Sequence, residues 1–257
     1  MTQATGLETG RVIGAPVTVG TLATATATVL KAAEAGGGGY VCVANVHMVT
    51  TARRDSHLLD IMEKALWVTS DGMPLVWTLR AKGHGHARRV AGPDLMLRLL
   101  EEAEKKAFPV YFFGGDAPTA EAMRKRLPQQ FPNLKIAGIE SPPLLPLTPV
   151  VDEATVRRIN ESGAGLVFVG LGCPKQEYWM AAHAPHLKGV QLGVGAAFNF
   201  FAGTVRRAPR WMQRGGLEWL FRLAAEPRYL WKRYLVTNSL FIWYTLGSLL
   251  GSKGKRA

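Results

Sequence analysis

The chain has 257 residues, 47% of them hydrophobic and 19% charged, enough for one α/β domain with a buried core and a modest extra segment but not for two large nucleotide-binding domains. Mean hydropathy near zero excludes a multi-span membrane protein. A formal charge of +12 calls for an anionic partner, and the two lone cysteines, Cys42 and Cys173, argue against a disulfide framework or a zinc site.

Met1 to Gly20 has neither a basic start leading into an apolar run nor a small-residue cleavage site, so a cytoplasmic protein is expected. After this polar tail, apolar runs at residues 40–44, 66–69, 109–113, 135–140, 166–170 and 190–194 alternate with stretches of helical period. Helices are predicted over 94–106, where Leu95, Leu99 and Leu100 recur at helical spacing, over 119–127 behind a cap at Asp116, and over 152–162. Residues 36–39 and 141–149 read as loops. This alternation is the pattern of parallel strands joined by helical crossovers, so residues 1–204 are predicted to form a single α/β domain with a Rossmann-like parallel sheet.

Composition shifts after Thr204. Residues 205–257 carry eleven Lys and Arg against Glu218 and Glu226, mixed with Trp211, Trp219, Trp231 and Trp243. Within them, residues 235–251 hold no charge, but seventeen residues that include Thr237, Asn238, Ser239, Thr245 and Ser248 make too short and too polar a segment for a spanning helix. The segment is read as a basic helical appendage lying on an anionic membrane surface, with an ordinary helix packed on the domain as the alternative. Cations grouped with an uncharged aromatic stretch suit a bilayer better than nucleic acid, so no nucleic-acid partner is expected.

In open α/β sheets, ligands gather beyond the carboxyl ends of the strands. Asn45, Asp71-Gly72, Gly114-Gly115-Asp116, Gly170-Leu171-Gly172 and Gly193-Val194-Gly195 stand there. Such glycines let backbone N–H groups approach a diphosphate, although each pair also reads as a tight turn. Lys175 and Phe198 occupy the third-glycine positions of a dinucleotide fingerprint, and no P-loop string occurs, so neither NAD nor a P-loop nucleotide is indicated. Asp71 reads either as a general base or as the cap of a helix starting near Met73. No Asp-x-Asp pair is present and the basic loop His84-Gly85-His86 lacks neighbouring carboxylates in sequence, so no metal site is expected. The spaced pairs Glu153…Glu161 and Glu218…Glu226 read as solvated helix charges.

Several strings resemble, in order and spacing, the WecG/TagA/CpsF glycosyltransferase family. They are Asn45 with His47-Met48-Val49, Val68-Thr69-Ser70-Asp71-Gly72, Arg89-Val90-Ala91-Gly92-Pro93-Asp94-Leu95, Phe112-Phe113-Gly114-Gly115 and Gly170-Leu171-Gly172-Cys173-Pro174-Lys175-Gln176-Glu177. The likeness continues through Gly193-Val194-Gly195-Ala196-Ala197-Phe198, Arg206-Arg207-Ala208-Pro209, Gly216-Leu217-Glu218-Trp219-Leu220-Phe221-Arg222-Leu223 and Glu226-Pro227-Arg228. It covers roughly residues 10–235.

The resemblance implies inverting, metal-independent transfer from a UDP-sugar, with no cofactor, to a polyprenyl-diphosphate-linked saccharide at the inner face of the cell membrane, in exopolysaccharide or cell-wall polymer synthesis. It implies Asp71 as general base, and Asn45, Arg89 and Gln176 in the donor or acceptor pocket. Gly114, Gly115, Gly172, Lys175, Glu177 and Asn199 complete the substrate-binding set. Arg222 first, then Arg228, Lys232 and Arg233, are the implied diphosphate partners. Val43 stands where the family often has a hydroxyl residue, and Asn199 where Phe-Asp-Phe is common. A hexosyl donor, glucosyl slightly favoured, is read ahead of N-acetylmannosamine or its uronic acid. A homo-oligomer is left open.

Overall fold

The computed structural model describes residues 6–253, so Lys255 and Arg256 of the basic segment lie outside the described residues. Where a polar tail is expected, the chain forms a hairpin: β1 (Thr9–Val12) pairs antiparallel with β2 (Ala15–Thr18). Its two-residue turn, Ile13-Gly14, has positive φ at both positions, the backbone that matches strand twist. Val12, Ile13, Ala15 and Val17 are buried, which holds the hairpin against the domain.

Helix α1 (Leu22–Glu34) starts at a capping box between Thr21 and Thr24. It is followed by β3 (Tyr40–Cys42), α2 (Val46–Ala52), α3 (Ser56–Lys64), β4 (Trp67–Val68), α4 (Met73–Ala81) and α5 (Gly92–Lys105). Then come β5 (Val110–Gly114), α6 (Ala117–Gln130), β6 (Ile136–Glu140), α7 (Glu153–Glu161), β7 (Leu166–Gly170), α8 (Lys175–His183), β8 (Val190–Gly193) and α9 (Ala197–Ala202). All six predicted strands form, each end within two residues of expectation. They make one parallel sheet in the order β4-β3-β8-β7-β5-β6. Successive strand residues face opposite sides, so the sheet separates two apolar cores. Phe113 stacks on Trp179 at 4.5 Å on one side, and Phe112 stacks on Phe168 at 5.3 Å on the other. Each of these rings is almost wholly buried, so truncation to Ala would cost about 3–5 kcal/mol.

At the end of β5, Gly114 has φ +119° and a Cβ there would lie 2.6 Å from the Gly170 carbonyl carbon. Any side chain would force β5 away from β7. Gly115 then donates its N–H to the Gly170 carbonyl at 2.9 Å, closing the two strand ends together.

The last three helices are α10 (Arg210–Arg214), α11 (Glu218–Ala225) and α12 (Pro227–Lys253). Pro227 sits in the first turn of α12, where its missing N–H costs nothing. Helix α12 packs against α2: Phe241 is buried, and the Arg53 guanidinium lies over the Tyr244 ring at 4.8 Å. Its other side leaves Trp231, Leu235, Val236, Ile242, Trp243 and Leu246 exposed. The helix therefore packs on the body, as in the alternative reading of this segment, and carries exposed apolar side chains on its other side. No helix among the described residues is long and apolar enough to cross a membrane.

Candidate active site

One cavity of about 800 Å³ opens at the carboxyl ends of β3, β4, β7 and β8 and is roofed by α11 and α12. Its floor lies where β3 and β8 run side by side, with β4 on one flank and β7 on the other. Chain connections diverge from this point, the place where open α/β sheets bind ligands.

Asn45 follows β3 and caps α2, its side-chain oxygen accepting the Met48 N–H at 3.1 Å. Asp71 follows β4, and its backbone N–H donates to the Ala44 carbonyl at 2.7 Å. The cap of α4 is Gly72, with no side-chain cap bond, so Asp71 does not serve as a helix cap. Instead its carboxylate faces the cavity, 23% exposed, and accepts the Gly92 N–H. Burial raises its pKa to about 6. Arg89 opposes that rise, Glu218 adds to it, and the Gly92 N–H and Arg207 pull it down.

Arg89 is the hub of an ion-pair network. One guanidinium nitrogen donates to Glu218 Oε2 at 2.6 Å and stands 3.6 Å from Asp71 Oδ1, while another stands 3.6 Å from Asp94 Oδ2. Arg207 completes the ring, bonding Asp94 Oδ1 at 2.6 Å and approaching Glu218 Oε1 at 3.7 Å. Glu218 is therefore not a solvated helix charge: it is a cavity-lining carboxylate that ties α11 to the body. Glu226, the other member of that spaced pair, stands 3.5 Å from Arg222.

Gln176, in the first turn of α8, forms part of the cavity wall. Its Nε2 donates to the Gly193 carbonyl and to Glu177 Oε1, both at 2.8 Å, and its Oε1 accepts the Gly172 N–H at 3.2 Å. Glu177 lies wholly buried behind it, and burial lifts its pKa to about 7, opposed by hydrogen bonds from Gln176 and Cys173. The folded state thus holds a proton that the unfolded chain releases from about pH 4.5 upward, and the associated stability is lost as pH rises through about 7. Glu177→Gln keeps an acceptor for Gln176, so it is expected to raise the melting temperature at pH 8 and leave it almost unchanged near pH 4.5, as thermal melts at both values would report.

Arg222 and Arg233 line the roof of the cavity together with Tyr234 of α12, whose ring meets Trp219 of α11 edge-on at 5.9 Å. His47 lines the same space, and burial together with Arg233 lowers its pKa to about 4, leaving the ring neutral at pH 7. The far end of the cavity is apolar, bounded by Trp77 and Ala81 of α4 and by Phe241, Ile242 and Leu246 of α12. A polar floor, a cationic roof and an apolar end in one space suit an anionic ligand with an apolar part.

The chain matches the description "Glycosyl transferase WecG/TagA/CpsF family" over residues 10–255. It belongs to the WecG/TagA/CpsF glycosyltransferase family. A curated relative from Bacillus subtilis (strain 168) is 31% identical over 200 residues, covering 77% of this chain and 75% of its own. That relative is named N-acetylglucosaminyldiphosphoundecaprenol N-acetyl-beta-D-mannosaminyltransferase. As a member of the WecG/TagA/CpsF family, the chain is a glycosyltransferase.

The cavity of this family member brings together Asp71, Asn45, Arg89, Gly172, Gln176, Arg222 and Arg233. It does not include the other residues expected from sequence. Gly114 and Gly115 close β5 onto β7, and Lys175 turns away to donate to the Leu145 carbonyl at 2.6 Å. Asn199 Nδ2 is spent on Thr119 and Thr204 hydroxyls at 3.2 and 3.3 Å, and the neighbouring Phe200 reaches the cavity instead. Arg228 and Lys232 are exposed, with Lys232 over the ring of Trp231, so of the four cations named for the diphosphate only Arg222 and Arg233 line the cavity. His84 and His86 do have a carboxylate neighbour, because the hairpin brings Glu8 within 2.5 and 3.0 Å of them. Even so, no group of three His, Cys, Asp or Glu among the described residues is arranged to hold a metal ion.

Proposed function

We propose that this chain transfers N-acetylmannosamine from its UDP derivative to N-acetylglucosamine carried on a polyprenyl diphosphate, with inversion and without a metal ion. The observation that best supports the reading is one cavity joining Asp71, the arginine pair and an apolar far end. In the reaction, Asp71 removes the proton of an acceptor hydroxyl as that oxygen attacks the anomeric carbon. The new C–O bond forms as the bond to the UDP β-phosphate breaks, and negative charge grows on the departing diphosphate. Arg222 and Arg233 neutralise that charge, the task a metal performs elsewhere. Asn45 lines the cavity with its side-chain amide nitrogen outside the cap bond to Met48 and can donate to a sugar, while Gln176, whose amide is spent on Gly193, Glu177 and Gly172, shapes the wall beside it.

For the donor, the name of the Bacillus subtilis relative supports N-acetylmannosamine over the glucosyl reading slightly favoured from sequence. Asn199 gives no ground against it, since its side chain is occupied outside the cavity. Donor choice is tested by offering UDP-N-acetylmannosamine, UDP-glucose and UDP-N-acetylglucosamine separately with a short-chain polyprenyl-diphosphate-N-acetylglucosamine and weighing the product. An added N-acetylhexosamine from the first donor alone is expected; an added hexose would return the reading to a glucosyltransferase.

We further propose that residues 205–257 act as an appendage resting on the inner face of an anionic membrane. Trp211, Trp231 and Trp243 are exposed beside exposed Arg210, Arg214, Arg228 and Lys232, the mixture that suits a headgroup layer. Trp243 is 74% exposed, so Trp243→Glu should leave the fold intact and weaken sedimentation with anionic vesicles by about tenfold. Undiminished binding would remove the part given to Trp243, and a wild-type chain that does not sediment with anionic vesicles would remove the membrane role.

A further inference from the structure

Arg89 stands between two carboxylates that compete for it. Its terminal nitrogen donates to Glu218 Oε2 at 2.6 Å, a full charge-assisted hydrogen bond, and stops 3.6 Å from Asp71 Oδ1, beyond hydrogen-bond reach. The same guanidinium is 3.6 Å from Asp94, which is itself held by Arg207 at 2.6 Å. Glu218 comes from α11 and Asp71 from the end of β4, 147 residues apart in the chain, so only the folded roof brings the competition about. We propose that Glu218 is a positioning residue that holds Arg89 away from Asp71 and so keeps the Asp71 carboxylate free to accept a proton.

The physical case is one of exchange. A carboxylate paired directly with an arginine is a poor base, because the cation stabilises its charged form. Were Glu218 neutral, the Arg89 guanidinium would need to move less than about 1 Å to bond Asp71 at normal length. That step would cover the oxygen that must meet the acceptor hydroxyl. The other groups facing Asp71 do not substitute for Glu218. The Gly92 N–H stabilises the charged form, Arg207 does so at longer range, and His47, which lines the same cavity, is neutral. Arg222 and Arg233, farther along the roof, add positive charge. Seating of α11 and availability of Asp71 are thereby one event. This inference rests on the reading of Asp71 as general base.

The test follows kcat against pH, between about pH 5 and 9, for the full chain with saturating donor and lipid acceptor. In Glu218→Gln the acid limb is expected to move down by about one pH unit and kcat at pH 8 to fall about tenfold, with the donor KM within about twofold of wild type. Glu218→Asp, which keeps the charge, should hold the wild-type limb. In Glu218→Gln/Arg89→Gln the limb should climb back, because the cation that lowers it is gone. An acid limb unmoved by Glu218→Gln, or moved equally with and without Arg89, would overturn the proposal while an inactive Asp71→Asn left the base assignment standing. Full activity of Asp71→Asn would instead remove the base assignment and this inference together.

Discussion

Asp71→Asn is expected to lower kcat by about 10³-fold, to leave UDP binding nearly unchanged and to raise the melting temperature. The first effect follows from the loss of the carboxylate that, among the described residues, combines cavity exposure with a pKa raised to about 6, and general-base removal typically costs about 10²–10⁴. The second follows because Asn is isosteric, and in the proposed reaction the diphosphate meets Arg222 and Arg233 of the cavity roof, not Asp71. The third is a linkage effect. Burial lifts the Asp71 pKa from 3.8 to about 6, so the folded state keeps a proton that the unfolded chain loses from about pH 4 upward. The resulting stability is present in acid and is lost as pH rises through about 6, and at pH 7.5 the charged side chain costs the fold about 1–3 kcal/mol. Asn carries no such cost, which amounts to several degrees for a chain of this size. Activity assays, UDP titration and melts at pH 5 and 7.5 check the three arms, and the stability gain should vanish near pH 4. The wild-type enzyme should lose activity below about pH 6 for the same reason.

Arg222→Ala and Arg233→Ala are each expected to lower kcat by about 10²–10³, with a smaller effect on the donor KM. Charge on the departing diphosphate is greatest in the transition state, so its cationic partners act more on rate than on binding. Lysine at either position should restore part of the loss, since it supplies charge without the planar pair of N–H donors. Arg228→Ala and Lys232→Ala serve as the contrast. Both side chains face away from the cavity, so their removal should reduce vesicle binding and spare turnover on a soluble short-chain acceptor. Steady-state kinetics of the four variants on that acceptor would check the division, and equal losses from all four would refute it.

The sheet was legible because β3, β4, β5, β7 and β8 are buried and read as apolar runs, most of them followed by Gly, Asn or Asp; the partly buried edge strand β6 was found from its apolar Ile136 and Ile139. The same logic located Asn45, Asp71 and Gly172. The hairpin escaped because its strands are four residues each, Pro16 interrupts one, and its turn places Ile13 rather than Asn or Asp at a positive φ. Glu218 was misread because it sits on a helix with a same-sign residue eight positions on, a spacing ordinary solvent-facing helices share. Its partner Arg89 lies 129 residues away, and no local pattern announces such a pair. The resemblance strings held a signal, since Arg89, Asp94, Arg207 and Glu218 all fall inside them. Asn199 and Lys175 failed for the opposite reason: both sit in family strings beside cavity residues, but helix geometry turns one toward Thr119 and the other toward Leu145. Arg228 and Lys232 share α12 with Arg233, and only the helical rotation between them decides which cation enters the cavity.

The most direct test of the account is release of UDP from UDP-N-acetylmannosamine by the full chain on anionic vesicles, in EDTA, with and without a polyprenyl-diphosphate-N-acetylglucosamine acceptor. The account requires turnover that depends on the acceptor, survives EDTA and disappears in Asp71→Asn. Release that needs a divalent ion, or that persists in Asp71→Asn, would contradict it.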